Sequence, residues 1–112
     1  MKDLRNRVQL IGHLGMDPEV KSFDKNGKLA KFSVATSQSY LNGKGEKVKD
    51  TQWHNVIAWG KLAETAEKYL KKGSEVALEG KIVYRTYEGK EGQTKYITEI
   101  VLNDFLMFSK KS

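Results

Sequence analysis

Trp53 and Trp59, with Tyr40 ahead of them, stand in an otherwise polar stretch, TSQSYLNGKGEKVKDTQWHNVIAWG, over residues 36–60. Side chains alternate faces along an extended strand, so Trp53, Asn55, Ile57 and Trp59 share one side, with the two indoles roughly 20 Å apart. His54, Val56 and Ala58 take the other. The connection between the two aromatic-bearing runs holds Gly43, Gly45, Lys44, Lys47 and Lys49. Flat π faces beside mobile cations suit a ligand that is both flat and anionic, and single-stranded nucleic acid has both properties.

Other chemistries lack their residues. The chain has no cysteine, which removes disulfides, thiolate metal sites and thiol nucleophiles and fits a reducing interior. His54 follows Trp53 but faces the opposite way, and neither it nor His13 has a partner at a recognisable spacing, so no zinc site is expected. Asp17 and Glu19 flank Pro18 and read as turn chemistry. A phosphodiester-cleaving enzyme would need clustered carboxylates around a metal, or a nucleophile with a base, and neither pattern is visible. The reading is of a protein that is not an enzyme and carries no cofactor or metal.

With 112 residues, 38% of them hydrophobic, the chain can bury one core and not two. Twenty Lys plus Arg against fourteen Asp plus Glu give a net charge of +6, which favours an anionic partner. The start, MKDLRNRVQL, has no apolar signal core, and no run approaches the roughly 20 apolar residues that span a bilayer. No membrane partner is expected.

The elements that must position the aromatics follow from periodicity. Residues 7–14 alternate, with Val8, Leu10, Gly12 and Leu14 in phase, until Gly15 and Asp17-Pro18 interrupt them. A short edge strand is expected over 19–23, then a turn at Asp24-Lys25-Asn26-Gly27. Residues 28–38 alternate again and run towards Tyr40, a connection occupies 41–50, and a strand covers 51–59. Over 61–72 the period becomes helical through Leu62, Ala63, Ala66, Tyr69 and Leu70, which marks Tyr69 as core or helix-face packing. Strands return over 75–87 and 96–102 around a Gly-rich turn, with a short closing strand over 104–108. This pattern fits an all-β fold, a five-stranded barrel of the oligonucleotide-binding type with one inserted helix and long hairpin loops, with a split β-sandwich as the alternative that periodicity alone leaves open. Residues 1–108 form the domain and 109–112 a frayed end.

Specific segments then resemble the bacterial single-stranded DNA-binding protein family across residues 6 to about 102. They include Asn6-Arg7-Val8-Gln9-Leu10-Ile11-Gly12-His13-Leu14-Gly15 with Asp17-Pro18-Glu19, Ser33-Val34-Ala35-Thr36, and Thr51-Gln52-Trp53-His54-Asn55-Val56. Gly60-Lys61-Leu62-Ala63-Glu64, Tyr69-Leu70-Lys71-Lys72-Gly73-Ser74, Gly80 and Tyr96-Ile97-Thr98-Glu99 follow in the same order. The resemblance implies a cytoplasmic, nucleoid-associated protein that binds and protects single-stranded DNA, with little sequence preference, in replication, recombination and repair.

By that resemblance the family's four stacking positions fall on Tyr40, Trp53, Trp59 and Tyr87. The commonest pattern has Trp where both tyrosines stand and Phe where Trp59 stands; every replacement keeps a π face. Phosphate contacts are expected from Arg5, Arg7, Lys44, Lys47, Lys49, Lys61, Lys72, Arg85, Lys90 and Lys95. The resemblance also implies a homo-oligomer, a tetramer built as a dimer of dimers, with the first strand (Val8, Leu10, His13) and His54 as its candidate interface. Family members usually carry a flexible linker and an acidic tip that recruits other proteins. This chain ends Lys110-Lys111-Ser112, so tail-dependent partners are not expected of it. A different reading stays open at this point: an accessory or protein-interaction module on the same barrel, with weak nucleic-acid binding.

Overall fold

The computed structural model describes residues 5–23 and 27–108. The elements run β1 (Val8–Leu14), β2 (Glu19–Phe23), β3 (Gly27–Leu41), β4 (Lys47–Trp59), α1 (Lys61–Tyr69), β5 (Glu75–Glu88) and β6 (Thr94–Met107). Apart from Gly27, the expected 24–27 turn lies outside the described residues, as does the expected frayed end at 109–112.

Five of the strands close into a barrel. β1 lies antiparallel to β5 from Val8↔Gly80 to His13↔Glu75, and its last residues cross to β3 through His13↔Ala35 and Leu14↔Val34. β3 pairs with β4 along its whole length and β5 with β6. A short parallel contact, Val56↔Ile100 and Ile57↔Val101, joins β4 to β6 and completes the ring. β2 stays outside it, paired only to the first part of β3.

Closure depends on two glycines. A Cβ on Gly12 would stand 2.2 Å from the Ala35 carbonyl oxygen, where β1 crosses β3. A Cβ on Gly80 would stand 2.3 Å from the Val101 oxygen, where Glu79 pairs with Asp104 but Gly80 with Leu102, leaving Asn103 as an extra residue on β6. Such a bulge bends its strand and lets it serve two parts of the ring. The tail expected as a separate closing strand is therefore continuous with 96–102.

The inward phase of each strand fills the ring: Leu14, Ala30, Phe32, Val34, Val56, Ala58, Val76, Leu78, Ile100 and Leu102. α1 caps it with Ala63 and Ala66, and Leu70 follows as its C-cap residue. Lys28 Nζ donates to Glu67 Oε1 at 2.6 Å and ties the start of β3 to the helix. That hydrogen bond and the carboxylate charge hold the Lys28 ammonium above its usual pKa.

Three expectations change. Val8 and Leu10, expected at a subunit interface, pack against the core, and the outward phase of β1 is Gln9, Ile11 and His13, with Ile11 55% exposed. Half of the 41–50 connection is strand, because Tyr40↔Val48 and Leu41↔Lys47 extend the ladder and the turn is confined to 42–46. Asn42 Oδ1 accepts the Lys44 and Glu46 amides there, closing a tight turn that needs no longer loop. α1 stops at Tyr69, whose ring is half exposed under Lys68 Nζ at 5.3 Å and is not in the core.

Beyond the ring, 36–41 with 47–52, and 83–88 with 94–99, form two-stranded arms whose backbones, among the described residues, pair only within each arm. Gly12→Ala should destabilise the protein by on the order of 1–3 kcal/mol, since the methyl group meets backbone that cannot move aside. Gly43→Ala, with nothing within 4 Å, should stay within about 0.5 kcal/mol of the parent. Urea unfolding of the two variants measures the difference.

Candidate functional site

Ladder partners project to the same side of a sheet, so the register shows which side chains share a surface. On β4, the phase of Trp53, Asn55, Ile57 and Trp59 continues across Ala35, Ser33, Lys31 and Leu29 of β3 and on to Glu19, Lys21 and Phe23 of β2. In the other direction Ile57↔Val101 carries it to Lys95, Ile97 and Glu99 of β6, and thence to Lys81, Val83, Arg85 and Tyr87 of β5. Trp53, Trp59 and Tyr87 therefore lie on one surface. Tyr40, paired with Val48, belongs to the opposite phase, on the reverse of its arm.

Each aromatic is held by its surroundings and still open. Trp53 is 63% exposed, and its six-membered ring lies over Gly15, where an added Cβ would be 2.3 Å from Cζ3. Gly15 in turn donates its amide to the Ser33 carbonyl. Trp59 is half exposed beside Phe23, ring centroids 6.3 Å apart and 32° out of parallel. Tyr87 and Tyr40 are also about half exposed. Opposite Trp53, β3 offers Ala35, followed on this phase by Ser37 and Ser39, residues too small to cover an indole.

Lys47, Lys49, Arg85 and Lys95 fall on this surface, and Lys21, Lys31 and Lys81 join them. Among the described residues, these seven cations share the phase traced above with two carboxylates, Glu19 and Glu99. Lys44 and Lys90 occupy the turns at the arm tips, and Lys61 begins α1 beside Trp59. Others are elsewhere. Arg5 lies in the bend before β1, and Arg7 is bound to Glu79 at 2.9 Å on the β1–β5 surface. Lys72 donates its amide to Asp17 and lines a depression with Tyr69, Met107 and Phe108.

Glu99 is 1% exposed. A buried carboxylate requires donors, and Arg85 supplies a two-pronged contact, Nε to Oε1 at 2.5 Å and Nη2 to Oε2 at 2.9 Å. The contact holds the guanidinium pKa above its ordinary value, chiefly through the hydrogen bond, and leaves three of its five N–H donors for other acceptors. His54 sits on the inward phase, its Nε2 2.9 Å from Thr36 Oγ1. Among the described residues no group of three or more His, Asp or Glu could hold a metal.

Sequence reasoning missed Lys31, whose alternation was visible but whose neighbour across the ladder, Ile57, was not. It also missed Phe23, which reaches Trp59 only through the β2–β3 pairing, and the tyrosines Tyr84 (75% exposed) and Tyr96 (80% exposed) on the reverse phase of the β5–β6 arm.

Residues 5–108 match the family model described as "Single-strand binding protein family". The chain is 42% identical over 107 residues to single-stranded DNA-binding protein 1 of Chlorobaculum tepidum, covering 95% of this chain and 66% of that protein. To the single-stranded DNA-binding protein of Neisseria meningitidis it is 44% identical over 107 residues, covering 96% and 62% respectively. The chain thus spans somewhat under two thirds of the length of these relatives. Among solved structures it is similar to a Plasmodium falciparum SSB complex with ssDNA, with a TM-score of 0.87 at 29% identity, covering 97% of this chain and 99% of that one.

Arg85→Leu leaves Glu99 buried without its cation, so unfolding by urea should begin earlier than in the parent. The double variant Arg85→Leu/Glu99→Leu should recover much of the loss at pH 7.

Proposed function

The chain belongs to the single-strand binding protein family, and on that premise we propose that it binds and protects single-stranded DNA without catalysis and largely without sequence preference. The observation that carries this reading is one continuous surface on which exposed Trp53, Trp59 and Tyr87 alternate with lysines and Arg85. Bases of an unpaired strand offer their faces to these rings, each stack being worth about 1–3 kcal/mol, while the cations neutralise phosphates. A duplex has its base faces stacked on one another and cannot use the rings. Tyr40 extends the path to the far side of the β3–β4 arm, and Lys44, Lys61 and Lys90 flank it. Such a protein serves replication, recombination and repair wherever strands stand apart.

The proposed assembly is a homotetramer, a dimer of dimers. Two features of the outer barrel support an interface between copies. Among the described residues no strand pairs with the edge of β1 away from β5 over residues 8–12, and open edges invite strand pairing. Beside it, Ile11↔Ala77↔Leu106 sets an apolar row across three strands, its Ile11 and Leu106 exposed. His13 lies on the same phase as Ile11, and the interface proposed here shifts from Val8 and Leu10 to Ile11, His13 and Leu106, without His54, which lies on the inward phase.

Titration with an oligo(dT) strand should quench tryptophan fluorescence strongly, a duplex should not, and added salt should weaken the binding. Trp53→Ala should lower affinity about tenfold, within the range of one lost stack. Absence of quenching in a folded protein at low salt would reject strand binding. Light scattering should give a mass several times the 12.7 kDa of one chain, and Ile11→Glu with Leu106→Glu should reduce it; a single-chain mass for the parent protein would reject the assembly.

A further inference from the structure

Phe23 and Trp59 are the one aromatic pair formed among the described residues, and their meeting is arranged by backbone. Trp59 stands opposite Leu29, and Phe23 opposite Gly27, so the two rings approach each other over a part of β3 where Gly27 carries no side chain. Gly60 donates its amide to the Lys28 carbonyl at 2.8 Å, and a Cβ on Gly27 would lie 4.0 Å from the Gly60 Cα, which brings the β2–β3 end against the β4–α1 junction. Gly27 and Gly60 both have positive φ, 79° and 61°, conformations that glycine adopts freely. Lys28 bound to Glu67 fastens the same corner to the helix.

Neither ring is spent on the core. Both are between two fifths and one half exposed, and the core cluster contains neither. Their centroids are 6.3 Å apart and the planes 32° from parallel, a tilted pair and not a close parallel stack. Sandwiching a flat base between two rings requires two contact layers of roughly 3.5 Å, or roughly 7 Å in all. The centroid separation of 6.3 Å lies within about 1 Å of that value, and to take a base the rings must also turn from their 32° tilt until their faces oppose each other. Lys21 lies on the same phase between Phe23 and Glu19, and Lys61 follows Trp59 by two residues, so cations for the flanking phosphates are at hand.

We propose that Phe23 and Trp59 form a two-sided clamp that holds one nucleobase between them, in contrast to the one-sided platforms at Trp53 and Tyr87. The clamp rests on the reading of this surface as a single-strand path. A base held on both faces loses two solvent contacts for one ordering cost, so this end of the path grips most firmly. Because every base has two π faces, the clamp adds affinity without adding sequence preference.

The test uses the full chain, oligo(dT) strands and strands bearing a single 5-iodouracil. Phe23→Leu keeps an apolar side chain beside Trp59 but offers no ring face; it should lower affinity about tenfold, and Phe23→Tyr should restore it. Photo-cross-linking of the iodinated strand should label peptides containing Phe23 as well as peptides containing Trp59. Labelling at Trp59 alone, or a Phe23→Leu protein as tight as its parent while Trp53→Ala is weakened, would overturn the clamp and leave single-strand binding standing. A parent protein with no affinity for the strand would overturn both.

Discussion

Two backbones pass each other at Gly12 more closely than any side chain allows, and the barrel exists because they do. β1 must leave β5, cross the open side of the ring and reach β3, and the carbonyl of Ala35 occupies the space a Cβ would need. The same device recurs at Gly80, where the bulge at Asn103 lets β6 turn from β4 towards the outer barrel. Once those crossings are made, the inward phase of every strand is committed to the core and the outward phase to a surface. The aromatic surface is thus the reverse side of the packing pattern: Trp53 and Trp59 face out because Val56 and Ala58 face in.

Glu99 sits in the wall of a surface that otherwise carries cations, and its effect is geometric more than electrostatic. A carboxylate with two hydrogen bonds to one guanidinium removes most of that arginine's long-range charge but fixes its plane. A fixed fork has already given up rotamer freedom, so it loses less when an incoming acceptor uses its remaining donors. The neighbouring lysines keep their full charge and their mobility, suiting long-range attraction. In the strand binding proposed above, Arg85 would orient phosphates and the lysines would capture them.

The fold was largely legible because alternation is a strong signal wherever one phase is buried: Ala30, Phe32 and Val34, or Val76 and Leu78, announce their strands without help. It faded where both phases meet solvent, which is why Lys47 and Lys49 read as loop although their backbones complete a ladder. On the first strand the alternation was read correctly, but Val8 and Leu10 were assigned to a partner when the chain's own core takes them; no periodicity distinguishes those two uses of an apolar face. Of the site, Trp53 and Trp59 on one strand were visible directly. That Tyr87 joins them while Tyr40 turns away follows from the register across four strands, and the meeting of Phe23 with Trp59 from a glycine between them. Neither is a local property of the sequence.

The two arms leave the ring as ribbons of two strands, each with solvent on both sides and no third strand to stiffen it. Ribbons of this kind twist and open far more readily than a closed barrel. Trp59 and Phe23 sit where sheet, helix and turn are all fastened together, whereas Tyr40 and Tyr87 sit near the free ends. The protein is thus graded in compliance, stiff at one end of its aromatic path and springy at the other. For the strand binding proposed above, a compliant end would follow the variable spacing of successive nucleotides and let a strand peel from the arms inward instead of leaving in a single step.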